Sequence, residues 1–202
     1  MENVKKILLH LLVIALFACG EKSQQAETSD TASTAAERSI EIKSGGDVVA
    51  SLKLQGEEAE IRVGDTKLHG RARKGEKRKY ETNGDVTAEI KYSDDGFKLR
   101  SADGQLRWKV KIYDDKIKIS NNEDGDNAYQ VRESDADKVK VKLNDTEIGA
   151  ARAKQEGVKI STEDGSVEFE IENMPLQKAH AVLAIVAIPL PDRIIIFNEL
   201  LK

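Results

Sequence analysis

The sequence predicts a mainly β fold: an antiparallel β-meander of about a dozen short strands, as a curved one-faced sheet or partial barrel, packed on two short C-terminal helices. Three observations carry this. Apolar and polar residues alternate with period two from Ser39 to Glu172. Turn-forming Asp-Gly and Asn-Gly pairs punctuate that stretch at short, regular intervals. The last thirty or so residues then switch to a continuous apolar run interrupted by prolines, a helical signature too short for a membrane span.

The amino terminus differs from everything after it. Lys5 and Lys6 precede an apolar segment, Ile7 to Ala18, interrupted only by His10. About twelve residues give roughly 18 Å of helix against the ~30 Å of a bilayer core, so the run has signal-peptide length. The small residue Ala18 stands directly before Cys19, the only cysteine of the chain. Residues Leu16 to Cys19 read "LFAC" and resemble the lipobox of bacterial lipoproteins, matching it at Leu16, Ala18 and Cys19, with Phe17 bulkier than that position usually takes. The resemblance covers residues 1–20 and assigns no activity. It implies cleavage after residue 18, thioether lipidation of Cys19, and attachment to a membrane through that lipid. Gly20 follows the cysteine where inner-membrane retention commonly uses Asp, so the resemblance implies the outer membrane, with the protein facing the periplasm.

Residues 20–38, "GEKSQQAETSDTASTAAER", contain no aliphatic side chain larger than Ala. Such a segment cannot bury enough surface to offset its ordering entropy. It is expected to act as a tether with a reach of about 25 Å.

The β region is expected over residues 39–173. In "LRWKVKIY", Leu106, Trp108, Val110 and Ile112 share one face while Arg107, Lys109 and Lys111 share the other. "KVKVKL" from Lys138 and "SVEFEIE" from Ser166 alternate in the same way, so each reads as a half-buried strand. "NGD" from Asn83, "SADG" from Ser101 and "TEDG" from Thr162 supply residues that tolerate the positive φ of tight hairpins. Two hairpins resemble each other: "GFKLRSADGQLRWKVK" from Gly96 aligns with "GVKISTEDGSVEFEIE" from Gly157, placing Trp108 opposite Phe169. A weaker match links "IRVGDTKLHGRARK" from Ile61 to "VKLNDTEIGAARAK" from Val141. The sequence therefore reads as a duplicated β unit, which favours a scaffold.

Residues 174–202 change period. Pro175 suits the first turn of a helix, Pro189 stops it, and Pro191 with Asp192 starts a second. The first helix is expected to run about fourteen residues, roughly 21 Å. Because it is apolar nearly all round, it should be enclosed by the apolar face of the sheet. The contiguous Ile194, Ile195, Ile196 and Phe197 are expected to leave some apolar surface for lipid or a partner.

Composition narrows the function classes. Lys+Arg at 32 nearly balances Asp+Glu at 36 in 202 residues, and aromatics make up 4%. That argues against a nucleic-acid partner, which would want a basic surface with stacking platforms. A single cysteine allows neither an internal disulfide nor a thiolate zinc site, and no metal or other cofactor is expected. No nucleophile elbow, phosphate loop or metalloprotease helix is present in the sequence, so no catalytic residue is assigned and the chain reads as a non-enzyme. "NNEDGDN" from Asn121 looks superficially like a calcium loop, but aligning Gly125 with the loop glycine puts Val131 where the bidentate Glu belongs. One charged cluster stands out: "RARKGEKRK" holds Arg71, Arg73, Lys74, Lys77, Arg78 and Lys79 against Glu76 alone. It is a candidate surface for anionic headgroups or peptidoglycan carboxylates.

The expectation is a membrane-anchored cell-envelope lipoprotein with a non-catalytic binding or structural β domain, whose partner is an envelope protein, lipid or peptidoglycan. A second expectation is a periplasmic carrier or acceptor of lipid or lipoprotein, with the one-faced sheet around apolar helices seen in the LolA and LolB type. That second likeness is one of architecture alone.

Overall fold

The computed structural model describes residues 37–202; the apolar leader, Cys19 and nearly all of the tether lie outside the described residues. Strands β1 (Arg38–Ser44), β2 (Asp47–Gln55), β3 (Glu58–Val63), β4 (Thr66–Gly70) and β5 (Lys77–Thr82) open the domain. They are followed by β6 (Asp85–Ser93), β7 (Gly96–Ser101), β8 (Leu106–Ile112), β9 (Lys116–Ser120) and β10 (Tyr129–Asp135). Strands β11 (Lys138–Leu143), β12 (Thr146–Lys154), β13 (Gly157–Thr162) and β14 (Glu168–Glu172) complete the meander. Each strand pairs antiparallel with the next, and β1 pairs with β14, so the sheet closes into a barrel. The partial barrel expected from the alternation is thus a complete one of fourteen strands.

Strand parity sorts the two faces. Ile40, Ile42, Leu52, Ile61, Ile90, Leu99, Val110, Ile119, Val141 and Ile160 are each 4% exposed or less and point into one core. Their neighbours point outward and pair across strands, as in Lys67 with Glu60, Lys77 with Glu89 and Lys159 with Glu168. Register shifts at Ile42/Lys43, Tyr80/Glu81, Leu99/Arg100 and Val141/Lys142 mark bulges. Such bulges increase local twist and help a sheet curl shut.

The two similar hairpins share one register from their leading glycines to their aromatic residues, beyond which β7 and β8 carry a bulge that β13 and β14 lack. Leu99 pairs with Trp108, and Ile160 with Phe169 at the matching place. Gly96 and Gly157 have φ of 149° and 147°, and a Cβ on either would lie 2.1 Å from the carbonyl oxygen of Val110 or Ile171. The weaker match shares its turn, Val63 opposite Thr66 and Leu143 opposite Thr146, but β11 and β12 add a bulge that β3 and β4 lack.

After β14 the chain turns inward at Asn173, with φ of 56°. A short helix α1 (Lys178–Ala181) runs into a 3-10 turn (Val182–Ala184), and helix α2 (Leu190–Leu200) returns. This hairpin occupies the lumen: α1 and the 3-10 turn pack on β10 to β13, while α2 faces β3 and reaches β5, β6 and β8 through side chains. Gly149 makes room for it, since a Cβ there would sit 2.8 Å from both Ala184 Cβ and the Ser161 carbonyl oxygen.

Two expectations for this segment are corrected. The first helical piece is one α-turn plus a 3-10 turn, not fourteen residues, and it ends at Ala184 instead of at Pro189. Pro189 disfavours helical backbone at Ile188, and Ile185 already departs from it at ψ 83°. Ile194 to Phe197 are at most 1% exposed, because a helix enclosed by a barrel has no outward side.

Every connection is a hairpin, so all odd-numbered strands start at one end of the barrel. The chain enters at that end at Arg38, and α2 finishes there too; it is called the entry end below and the opposite one the far end.

Candidate functional site

The basic segment forms the connection between β4 and β5 at the entry end. Its six cations do not form one surface. Arg71, Arg73, Lys74, Lys77 and Lys79 are exposed, whereas Arg78 is 2% exposed and points into the lumen. Parity explains the split: Arg78 shares a strand face with Tyr80, which is fully buried. Arg71 donates to Glu81 at 2.8 Å and Lys77 to Glu89 at 2.9 Å. Arg73, Lys74 and Lys79 make no ion pair among the described residues. Arg73 lies over the Tyr92 ring at 4.1 Å, its Nε donates to the Gly75 carbonyl at 2.7 Å, and its backbone N–H donates to Glu57 Oε2 at 3.2 Å.

Beneath that loop lies a buried polar cluster. The Glu199 carboxylate, on the last turn of α2, has a side chain 0% exposed. Tyr80 Oη donates to its Oε1 and Tyr92 Oη to its Oε2, both at 2.5 Å. Asn198 Nδ2 donates to Tyr80 Oη at 2.7 Å. Arg78 Nε stands 3.5 Å and Lys202 Nζ 3.7 Å from Oε1. An acid at a helix C-terminus opposes the helix dipole, and these cations are what offset it. Gly70 lets the Tyr80 ring lie flat against β4, because a Cβ there would approach its Cε1 to 2.8 Å.

The charges are tuned by the enclosure. Burial and then the Glu199 charge push both phenols well above their ordinary pKa, so they are neutral donors. For Arg78, burial disfavours the charge, but the Glu199 carboxylate outweighs it and raises the guanidinium above its usual value. Burial lowers the pKa of Lys202, with Glu199 acting against it. Arg78 Nε and Nη1 and Asn198 Oδ1 are buried without a hydrogen-bond partner.

A second clasp holds the other end of α2. Asp192 accepts from Trp108 Nε1 at 3.2 Å and Arg107 Nη1 at 3.1 Å, while Arg107 Nη2 donates to the Thr87 carbonyl. An acid in the first turn also suits the helix dipole. Between the clasps, Arg193 Nη1 donates to the Leu183 carbonyl at 2.6 Å, tying α2 to the 3-10 turn. His180 is 0% exposed, accepts the Gln177 N–H at Nδ1, and is pushed by burial down to a pKa of about 4.

Sequence reasoning missed Glu199, Tyr80 and Tyr92. The signal was present in "KRKYET", where alternation puts Arg78 on the inward face with Tyr80, and in the lone acid of "FNELLK". The segment read against a calcium loop is a side-chain-closed turn: Asn122 Oδ1 accepts the N–H groups of Gly125 and Asp126. Among the described residues no group of His, Cys, Asp or Glu is placed to hold a metal ion. No helix among the described residues is long and apolar enough to cross a membrane. Cys19 lies outside the described residues. Compared with protein-family models, with characterised proteins and with solved structures, the chain has no significant match.

Proposed function

We propose that the chain is a cell-envelope lipoprotein, held at the membrane by lipid on Cys19, that presents a closed barrel as a non-catalytic binding or structural domain. The observation that carries the domain reading is the filled lumen. Val182, Leu183, Ile185, Ile188, Ile194, Ile196 and Phe197 are all 0% exposed inside a wall of apolar strand residues. Burial of each contributes about 2 kcal/mol, which makes this hairpin the core of the domain. A core of that kind supports a scaffold whose recognition uses its outer surface. The carrier reading would require the hairpin to leave so that acyl chains could enter, and the same burial opposes that exchange. Outer-membrane placement facing the periplasm is part of the proposal and rests on the lipobox and Gly20.

Metabolic labelling with a palmitate analogue tests the anchor. Wild type is expected to incorporate label and Cys19→Ser to incorporate none; equal labelling sinks the anchored reading. Mass spectrometry of solvent-extracted purified protein tests the lumen: no stoichiometric acyl species is expected, and one acyl chain per protein would transfer the assignment to a carrier.

A further inference from the structure

Among the connections of the barrel, Lys and Arg occur only between β4 and β5. Five of its seven far-end connections carry Asp or Glu, and none of the seven carries Lys or Arg. Asp65, Asp124, Asp126, Asp145, Glu163 and Asp164 make no ion pair among the described residues, although acids on the strand faces mostly do. Asp164 stays ionised to a pKa of about 2, held by the Thr162 hydroxyl and then by the Ser166 N–H and hydroxyl. At the entry end the connection between β4 and β5 carries the unpaired Arg73, Lys74 and, on the adjoining strand, Lys79. Other entry-end connections are acidic: Asp95 is neutralised by Lys111 and Asp115 by Lys116 and Arg132, while Glu57, Asp94, Asp114, Asp137 and Glu156, and Glu76 within the β4–β5 connection itself, make no ion pair among the described residues.

We infer that the barrel docks on an anionic lipid surface through its entry end, leaning on the β4–β5 side so that Arg73, Lys74 and Lys79 meet headgroup phosphates. Charge complementarity selects the occupant. Three free cations on one flank attract an anionic plane, and the unpaired acids at the far end are repelled from it, so field and torque point the same way. Leaning toward β4–β5 lifts the acidic connections from β8 to β13 away from the lipid and leaves Glu57, Glu76 and Asp94 as the unpaired acids on the near side, where the exposed Lys53 and Lys91 also lie. Arg73 is held in place for this by its stack on Tyr92 and its bond to Gly75, so little side-chain freedom is lost on contact. Chain geometry agrees, because whatever precedes Arg38 joins the barrel at this same end. The inference deepens the anchored reading and rests on it for which membrane is met, but the surface chemistry stands without the lipid.

The test uses the chain without residues 1–19, so that neither the apolar leader nor an acyl group contributes, in sedimentation with vesicles of phosphatidylglycerol mixed with phosphatidylcholine or of phosphatidylcholine alone. Binding is expected only to the anionic vesicles and is expected to vanish at high salt, where screening reaches within ~3 Å. Each cation near such a surface contributes about 1 kcal/mol, so R73Q/K74Q/K79Q should bind on the order of 100-fold more weakly. K74Q/K79Q, which leaves the Tyr92 stack untouched, should lose roughly 10- to 30-fold and decides the matter if the triple variant folds poorly. K140Q/K142Q/K159Q removes the same net charge from the opposite flank and should stay within about twofold. Equal binding to both vesicle types, no binding to either, undiminished binding by K74Q/K79Q, or equal loss in the opposite-flank variant each overturns the proposal. Failure of palmitate labelling would sink the anchor while leaving these measurements unchanged, so the two readings fail separately.

Discussion

Replacing Glu199 tests whether the buried cluster fixes α2 in the lumen. In Glu199→Leu the helix keeps its apolar packing, but Arg78, 2% exposed, loses its nearest anion, and Tyr80 and Tyr92 lose their acceptor. Removing one partner of a buried ion pair costs about 3–5 kcal/mol, because the remaining charge stays out of water. Tyr92 is part-buried and regains some water, so the expected loss is about 4 kcal/mol, near the middle of that range. Glu199→Gln keeps an acceptor for one phenol but still leaves Arg78 without its anion, so about 3 kcal/mol, the lower end of the same range, is expected. The informative variant is Arg78→Met with Glu199→Leu, which removes both charges; it should recover at least ~2 kcal/mol over Glu199→Leu alone. Urea unfolding at neutral pH measures this, provided the slope is unchanged so that midpoint shifts report stability. The reasoning is refuted if Glu199→Leu lies within about 1 kcal/mol of wild type, or if the double variant is no more stable than the single one.

Three further outcomes are expected. His180, ordinarily near 6.5, titrates at about 4 in the fold because burial opposes its charge; a depressed folded pKa means its contribution is intact above 6.5 and lost as pH falls toward 4. The wild-type minus His180→Gln stability difference should therefore shift by roughly 3 kcal/mol across that window, and a flat difference would refute it. Gly149→Val should destabilise by at least ~2 kcal/mol in thermal unfolding, since its Cβ would strike Ala184 and the Ser161 carbonyl at 2.8 Å; a neutral result would show that the 3-10 turn does not seat on β12. Gly96→Ala and Gly157→Ala should each cost about 2 kcal/mol or more and agree within ~1 kcal/mol, because the carbonyl clash and φ match; a large disparity would deny the shared hairpin geometry.

Alternation in stretches such as "LRWKVKIY" located the strands, because burial on one face and solvation on the other write themselves into period two. Closure was not legible. It depends on β1 meeting β14, whose single Cα register pair is Lys43 with Glu170, and nothing local in either strand encodes the meeting. The length of the first helical piece was misread because apolar content alone cannot distinguish a helix from a buried turn. Ile185 to Ile188 are apolar in either case, and Pro189 constrains only its immediate predecessor. For the site, the cluster "RARKGEKRK" was visible, but its division into an exposed group and an inward Arg78 required taking parity through a basic run. The partner that justifies burying Arg78 lies 121 positions later by sequence number, at Glu199, so the pairing belongs to the closed fold and not to either segment.

The direction of the alternation limits what the barrel can do at a membrane. A lipid-spanning barrel points apolar side chains outward and fills its lumen with polar ones, with strands of about nine to eleven residues. Here Lys67, Lys77, Lys98, Lys111 and Lys159 point outward into ion pairs, the lumen is apolar, and strands such as β4, β9 and β14 have five residues. Turning such a wall toward hydrocarbon would strip each of those ions of water. A sheet of fourteen strands also encloses more space than its own side chains fill, as eight-stranded barrels do not. The chain meets that requirement with its C-terminal hairpin, and two polar clasps, Asp192 with Trp108 and Glu199 with Tyr80 and Tyr92, fix which way the hairpin sits. Apolar packing alone would tolerate sliding of α2 along the axis. Hydrogen bonds at both of its ends do not, so the clasps specify position where the hydrophobic core supplies stability.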